Sequence, residues 1–363
     1  MMRVGSPAAA GFSTAARFWE SVITNDVKVN LNVSFENLNS GFLAQTSSST
    51  SLLDIRSVEE RMRANGTSAL DAKIAASGLP TLDGNGALTV TTPGDVDSVN
   101  KLGVDTPTQV LDADGSFNNR FIGVTNANAK ALGYLFDANI VDATIEFNSI
   151  FPFDFDARDG ISAFTFDFLG AASHEIGHAL GFLSGVDDYD TVGCPRGPAC
   201  DQFADFAVND DFEGNALDLF RYDEAQLDWR PVTSYFSTDG GVTRLNGNGL
   251  LSSGLYHGDQ RQASHWRANG TCSHASGIMA PALCNGSGGI VTGTDLAASD
   301  AIGWNLTLNA LANPNLVLST AQIASTATIS ESNSWSFMLV GLLLIGWQRW
   351  PRMERIGAKP VFL

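Results

Sequence analysis

The most informative stretch of the sequence is FLGAASHEIGHALGF, residues 168–182. Its small and apolar residues predict a helix, and His174 and His178 are four positions apart, which places both imidazoles on one face of that helix. With Glu175 between them they form the HExxH pattern, which can hold one Zn²⁺ and keeps a carboxylate beside the metal. The alternative is an amphipathic helix that carries two histidines by chance. The chain has only 5 histidines, so this spacing around a glutamate favours a zinc site.

A catalytic zinc site needs three protein ligands and an open fourth position. The sequence offers two kinds of third ligand. Two carboxylates, Asp187 and Asp188, follow the helix closely, and carboxylate oxygens bind zinc. The remaining histidines lie farther downstream, and they are His257, His265 and His274. Spacing alone leaves these alternatives open.

The motif HEIGHALGF resembles the active-site motif of the metzincin zinc peptidases, whose helix ends at a glycine where Gly181 stands. In the common metzincin pattern, HExxHxxGxxH, the third histidine comes three residues after that glycine. Ser184 occupies this position here, and a serine hydroxyl is a poor zinc ligand. The resemblance therefore implies that the third ligand comes from elsewhere in the chain.

One metzincin branch, the leishmanolysins, inserts a long segment after the helix glycine before it supplies the third histidine. In that branch the histidine is often followed by Trp and then by a turn with a buried methionine, the Met-turn. This sequence is similar, because it has His265-Trp266 and then Met279 in the run GIMAP. The resemblance is closest to bacterial leishmanolysin-like metzincins with PEP-CTERM tails. It implies that His265 is the third ligand and that Met279 packs beneath the zinc without binding it.

The metzincin resemblance also implies an α+β fold. We expect residues 1–183 to form an N-terminal subdomain of helices and a twisted, mostly parallel sheet, ending in the HExxH helix. Residues 184–305 would form a loop-rich C-terminal subdomain with the long insertion, the third ligand and the Met-turn. A linker over 306–330 and a tail over 331–363 complete the chain. Residues 142–149, DATIEFNS, are the candidate edge strand that would align a substrate by β-addition, although an ordinary buried strand fits them equally well.

The activity implied by the resemblance is that of a zinc-dependent endopeptidase acting on proteins or peptides. Zn²⁺ would lower the pKa of its bound water toward ~7 and polarise the scissile carbonyl, and Glu175 would act as the general base. The alternative is a catalytically silent binding or adhesion module on a metzincin scaffold, which would be expected to lack Glu175 or a zinc ligand. The intact HExxH pattern favours the enzyme, while Ser184 keeps the alternative open.

The charge balance excludes some classes of partner. Asp and Glu total 39 against 21 Lys and Arg, for a formal net charge of −18, whereas binding to nucleic acid relies on positive side chains that neutralise phosphates. Docking on anionic lipid is disfavoured for the same reason. Two acidic loops, 112–119 and 154–160, could bind Ca²⁺, but neither has the EF-hand spacing, and Asx-turns explain their composition better.

The four cysteines fall into two close pairs, Cys194 with Cys200 and Cys272 with Cys284. Neither pair has the CxxC spacing of a zinc ribbon or a thioredoxin-type motif. We expect two local disulfides, which form in an oxidising compartment. Four reduced, buried cysteines are the alternative.

The C-terminal tail contains an apolar stretch at 335–347, in which Ser336 is the one polar residue, and Arg349, Arg352 and Arg355 follow it. A membrane span needs about 20 apolar residues, a length that this stretch approaches only with its flanks. A Ser-rich linker, a short span and a basic end together resemble the PEP-CTERM sorting tails of exported Gram-negative proteins. Positive charge after the span predicts a cytoplasmic C-terminus. A buried C-terminal helix is the alternative.

The N-terminal residues 1–20 contain no apolar run of the kind that signal peptides have. Export would then be independent of a signal, or would depend on a leader encoded upstream of Met1, which the tail leads us to favour. The expected location is the cell envelope or the exterior of a Gram-negative bacterium. The tail would contact the membrane and could be processed by a sorting enzyme.

Overall fold

The structure is a computed structural model that describes residue 3 and residues 5–193, 205–268, 276–327 and 359–362. Within these residues the chain has an α+β fold with ten α-helices and several small sheets. The helices are α1 (Pro7–Val22), α2 (Ile55–Asn65), α3 (Ala69–Lys73), α4 (Phe117–Arg120), α5 (Asn126–Ala131), α6 (Phe168–Ala179), α7 (Val186–Val192), α8 (Val208–Asp211), α9 (Gly293–Ala301) and α10 (Thr320–Ala327).

The strands are short, and most of them pair in twos or fours. They are β1 (Leu31–Glu36), β2 (Ala44–Ser48), β3 (Thr50–Asp54), β4 (Val90–Asp97), β5 (Leu102–Asp112), β6 (Phe121–Thr125), β7 (Ala143–Asn148), β8 (Phe153–Asp154), β9 (Phe166–Asp167), β10 (Arg221–Asp223), β11 (Gln226–Leu227), β12 (Ser234–Phe236), β13 (Leu250–Leu251), β14 (Ile290–Thr292), β15 (Val317–Ser319) and β16 (Lys359–Phe362).

The sheet beside α6 has the strand order β1-β7-β2-β16. Strand β7 runs parallel to β1 and antiparallel to β2, and β16 runs antiparallel to β2. The expectation of a mostly parallel sheet is therefore wrong for this sheet. The reason is the short connection over 37–43, since a parallel crossover needs a dozen or more residues and β2 can only return antiparallel.

The same sheet corrects the expectation for residues 142–149. Strand β7, Ala143–Asn148, is paired on both sides, with β1 and with β2, so it is an interior strand and not the edge strand. On its inward face, Ile145 and Phe147 are completely buried. An alternating pattern reveals which face of a strand is buried, but it does not reveal how many neighbours the strand has.

Helix α6 lies between this sheet and α1 at the centre of the molecule. The Phe168 ring packs against the rings of Phe147 and Phe155, with centroid distances of 4.7 and 4.9 Å. On the other side, the Trp19 indole of α1 donates a 3.0 Å hydrogen bond to the carbonyl of Ser173. Because every residue of α6 is buried, the helix is held on all sides, which fixes the direction of its histidines.

The range 306–330, which was expected to be a linker, is folded in part. Strand β15 pairs antiparallel with β14, and α10 follows it directly, with Ile323 buried. The polar composition of this range conceals a few apolar positions that are enough to pack a strand and a short helix on the domain. The predicted linker is therefore corrected over Val317–Ala327.

The apolar stretch at 335–347 lies outside the described residues, so the prediction of a membrane-spanning tail stays a prediction. Among the helices that the structure describes, none is both long enough and apolar enough to span a bilayer. The described end of the tail, β16, forms backbone pairs with β2 over Gln45–Ser48.

Candidate metal centre

Helix α6 delivers the first two histidines of the site. His174 and His178 are both completely buried and lie one helical turn apart, as the i, i+4 spacing requires. The helix ends at Ala179, and Gly181 then adopts a φ of +115° with the Asn128 side chain 3.1 Å from where a Cβ would lie. Only glycine adopts this conformation readily, so the chain can turn sharply away from the histidines here.

His265 joins the two helix histidines from the loop that precedes the Met-turn. Its Nε2 atom lies 3.3 Å from the Nε2 atoms of both His174 and His178, which are 2.8 Å from each other. Ligand nitrogens at ~2.1 Å from a tetrahedral zinc lie roughly 3.4 Å apart. The two distances from His265 match this spacing, and the distance between the two helix histidines is shorter. The structure therefore brings three imidazoles close enough together to share one metal ion.

Each of these rings is oriented by a hydrogen bond at its other nitrogen. The Nδ1 atoms donate to the backbone carbonyls of Ile278 (from His174, 2.7 Å), Phe182 (from His178, 2.7 Å) and Gln262 (from His265, 3.2 Å). A carbonyl accepts only from a protonated nitrogen, so the proton sits on Nδ1 and the Nε2 lone pairs face one another. Outer hydrogen bonds of this kind are typical of metal-bound histidines.

The electrostatics of the site favour neutral imidazoles. Burial lowers the pKa of His174 to about 4, and burial together with the neighbouring histidines lowers the pKa values of His178 and His265 well below their ordinary range. Neutral imidazole is the form that binds a metal ion. Three converging lone pairs with no hydrogen between them are electrostatically unfavourable by themselves, and a cation at their centre would relieve this repulsion.

Glu175 is completely buried on the same helix. Its Oε2 atom accepts a 2.5 Å hydrogen bond from the Thr46 hydroxyl of β2, and its Oε1 atom has no hydrogen-bond partner among the described residues. Burial raises the pKa of this carboxyl to about 8, although the Thr46 hydroxyl opposes the shift. A buried acceptor without a partner is costly, which is consistent with a site for water or substrate at Oε1.

The Met-turn lies directly beneath the helix histidines. Met279 is buried, and a Cβ placed on Gly177 would overlap its Sδ atom. Residue 177 must therefore be small, so that the methionine can pack against the helix. This contact explains why a glycine stands inside the helix, where it costs about 1 kcal/mol relative to alanine.

We expect Gly177→Ala to destabilise the protein for this reason. The added methyl group overlaps Met279 Sδ, and overpacking of a core costs about 1–3 kcal/mol, which outweighs the ~1 kcal/mol that alanine gains over glycine in a helix. Chemical denaturation of the metal-free protein should show a net loss of up to ~2 kcal/mol in the free energy of unfolding. Gly84→Ala is the control, since nothing lies within 4 Å of its Cβ position. A Gly177→Ala variant as stable as Gly84→Ala would contradict the observed packing.

The buried carboxylate of Asp295 joins the Met-turn to the His265 loop. It accepts hydrogen bonds from the Trp266 indole (2.8 Å) and from the backbone N–H groups of Ile278 (2.9 Å) and Met279 (3.2 Å). Ile278 is also the residue whose carbonyl orients His174. The tryptophan after the third histidine therefore has a structural role, because its N–H links the loop to the turn. The sequence reasoning missed Asp295, which carries no local motif.

The other sequence candidates lie elsewhere. The group of His, Cys, Asp and Glu side chains that the described residues bring within 4.8 Å contains the three histidines and no carboxylate. The Asp187 carboxylate binds the loop before His265 instead. The His257 ring contacts Asp190, with Nδ1 at 2.9 Å from the Asp190 carbonyl. His274 lies outside the described residues.

The described residues test only part of the predictions about the disulfides and about calcium. Cys284 is disulfide-bonded, whereas Cys194, Cys200 and Cys272 lie outside the described residues, so both predicted pairings stay predictions. In the acidic loop 154–160, Asp154 accepts hydrogen bonds from the N–H groups of Asp156 and Ser162. The bond from Asp156, two residues on, is typical of an Asx-turn, and no observation on the described residues favours Ca²⁺ there.

A cavity of about 280 Å³ opens beside the third histidine. Its lining is mostly apolar, with three polar or charged side chains in addition to His265. A mostly apolar lining with a few polar groups is typical of ligand-binding cavities. The lining residues are Gly41, Phe42, Leu43, Phe151, Phe166, Leu255, Gln260, Arg261, Gln262, His265, Pro281, Ala282 and Leu283.

Comparisons with protein-family models, with curated proteins and with solved structures found no match for this chain.

Proposed function

We propose that the protein is an exported, zinc-dependent endopeptidase of the metzincin type. The observation that carries this proposal is the convergence of three buried Nε2 atoms, from His174, His178 and His265, at distances of 2.8–3.3 Å. All three are neutral imidazoles oriented by backbone carbonyls, as metal ligands require. Three histidine ligands leave a fourth position open for water and substrate, which is the arrangement of catalytic zinc sites.

The metzincin assignment draws on the order of the elements around these ligands. The HExxH helix α6 ends in a turn at Gly181, the third histidine arrives from a distant loop, and Met279 packs beneath Gly177. The alternative of a silent binding module relies on Ser184, and the position of His265 beside the two helix histidines speaks against it. The disulfide at Cys284 supports an oxidising, extracytoplasmic location.

The chemistry assigns one task to each group. Zn²⁺ held by the three histidines would lower the pKa of a bound water toward ~7 and polarise the scissile carbonyl. Glu175 takes a proton from the attacking water at its partnerless Oε1 atom and passes it to the leaving amine. Thr46 holds the other oxygen of this carboxyl group by its 2.5 Å hydrogen bond, so that the general base keeps one orientation through the reaction.

The test of this proposal is the zinc content and the proteolytic activity of the purified full-length chain. We expect about one zinc per chain, hydrolysis of unfolded casein, loss of hydrolysis after treatment with a strong chelator, and recovery on addition of zinc. Protein that binds no zinc would contradict the proposal. Protein with one zinc per chain and no hydrolysis of casein or gelatin would favour the binding module instead.

A further inference from the structure

The position of the His265 ring depends on contacts with other parts of the chain more than the positions of His174 and His178 do. His174 and His178 are fixed by a buried helix, whereas His265 belongs to a loop, and the bond from its own ring goes to Gln262 in that same loop, at 3.2 Å. This bond orients the ring relative to the loop but does not place the loop in the protein. The position of the Nε2 atom therefore depends on the contacts that hold the loop against the domain.

Three of these contacts involve Asp187, near the start of α7. Its Oδ1 atom accepts a 2.6 Å hydrogen bond from the N–H of Ala263, and its Oδ2 atom accepts from the N–H of Ser264 at 3.1 Å and from the Ser264 hydroxyl at 2.5 Å. Both of these residues directly precede His265. One carboxyl group thus accepts three hydrogen bonds from the segment that presents the third ligand.

Ser184 adds a second attachment from the same short segment after the helix. Its N–H donates to the Ser264 hydroxyl at 2.9 Å, and its own hydroxyl donates to Asp218 at 2.6 Å. The fully buried Arg221 completes the support, because its guanidinium donates to Asp218 and, at 2.6 Å, to the carbonyl of Ala263. Ser184 stands where the common metzincin pattern has its third ligand. Here it helps instead to hold the loop that carries His265.

We propose that Asp187 is a positioning residue for the third metal ligand, acting through Ala263 and Ser264 on His265. This inference deepens the proposed function and rests on it, since it presumes that His265 binds the metal. It also assigns a role to a carboxylate that stands close to the HExxH helix without being a ligand. The carboxylate sets the position of His265, and the metal affinity of the site depends on that position.

The test compares the zinc affinity of Asp187→Asn and Asp187→Ala with that of Asp188→Asn, in the full-length chain. Substitution of an outer-shell partner typically lowers metal affinity by roughly 10–100-fold, and we expect a loss in this range for Asp187 variants. Asp188→Asn removes a charge from the neighbouring position of the same helix and should bind zinc as the wild type does. The asparagine variant keeps the shape of the side chain, so it guards against a failure of the alanine variant to fold.

A role in stability alone would give a different result. It would lower the melting temperature of the metal-free protein while leaving the zinc affinity of the folded protein unchanged. Substitution of zinc by Co²⁺ supplies a further readout, because the visible absorption of Co²⁺ reports the number and geometry of its ligands. We expect the Asp187 variants to have an altered Co²⁺ spectrum, and an unaltered spectrum with wild-type zinc affinity would overturn the inference.

A double-mutant cycle with His265→Ala shows whether Asp187 acts through the ligand. If it does, Asp187→Asn should cause little further loss of zinc affinity once His265 is absent, so that the two effects are strongly non-additive. Fully additive losses would contradict the inference. A wild-type chain that binds no zinc would instead contradict the proposed function, so the two failures are distinguishable.

Discussion

Replacement of His265 by alanine should lower zinc affinity by roughly 10²–10³-fold and remove proteolytic activity. Zinc binding to four-ligand sites contributes about 10–16 kcal/mol of free energy. If the four ligands contribute equally, each accounts for about 2.5–4 kcal/mol. Because each 1.4 kcal/mol changes the dissociation constant about tenfold, the loss of one ligand corresponds to the stated range. The His265 Nε2 atom is 3.3 Å from each of the other two, and no described carboxylate is placed to replace it. Competition with a chelator of known affinity measures the loss.

The matched control for this variant is His257→Ala. The His257 ring faces Asp190 and not the three converging histidines, so this variant should keep both zinc and activity. A His265→Ala variant that still binds one zinc per chain with wild-type affinity would show that the third ligand lies elsewhere. The leishmanolysin-like assignment would then fall, because it depends on the His265-Trp266 pair.

The sequence predicts the helical part of this site well, because that part is local. A helix over 168–182 is close to the observed Phe168–Ala179 with its turn at Gly181. The i, i+4 spacing alone places His174 and His178 on one face. The third histidine is not local, and its selection among three candidates relied on the resemblance to a metzincin branch.

The sheet could not be predicted in the same way. Strand β2 has the polar sequence AQTSS, which does not indicate a buried strand. Its Thr46 and Ser48 are nevertheless completely buried, since their hydroxyls donate to Glu175 and to the carbonyl of His178. A buried hydroxyl that donates a hydrogen bond avoids the free-energy cost of an unsatisfied polar group. Both acceptors lie more than a hundred residues farther along the chain. The strand beside the candidate general base was therefore missed, and β7 was expected at the edge although it is paired with both β1 and β2.

The hydrogen bonds that three acidic side chains make around this site were missed for the same reason. Asp187, Asp218 and Asp295 are three of the 39 acidic residues of an acidic chain, and by composition such residues are expected at the surface. Each is instead tied to backbone N–H groups of a loop or turn around the candidate metal centre, at Ala263, Gly185 and Ile278 respectively. Only the tertiary structure supplies these donors, so a motif search finds the candidate ligands but not the groups that hold them.

Glu175→Gln should keep zinc bound and lower the rate of peptide hydrolysis by roughly 10²–10⁴-fold, the usual contribution of general acid–base catalysis. The amide oxygen of glutamine can still accept the hydrogen bond from Thr46 that Glu175 accepts at 2.5 Å, and the three ligands are unchanged. An amide cannot take a proton from water, so only the proton-transfer step is lost. Because burial raises the pKa of Glu175 to about 8, the ionised carboxylate is costly to bury, and the neutral amide should not destabilise the fold.

The control is Glu60→Gln on the exposed face of α2, which should hydrolyse casein at the wild-type rate. Zinc content and activity of the Glu175 variant must be measured on the same preparation, since loss of both would point to a disturbed metal site and not to a missing base. Wild-type turnover by Glu175→Gln with zinc bound would refute the assigned mechanism. In that case the partnerless Oε1 atom would have no catalytic role, and the three histidines would hold a metal that works with a different base.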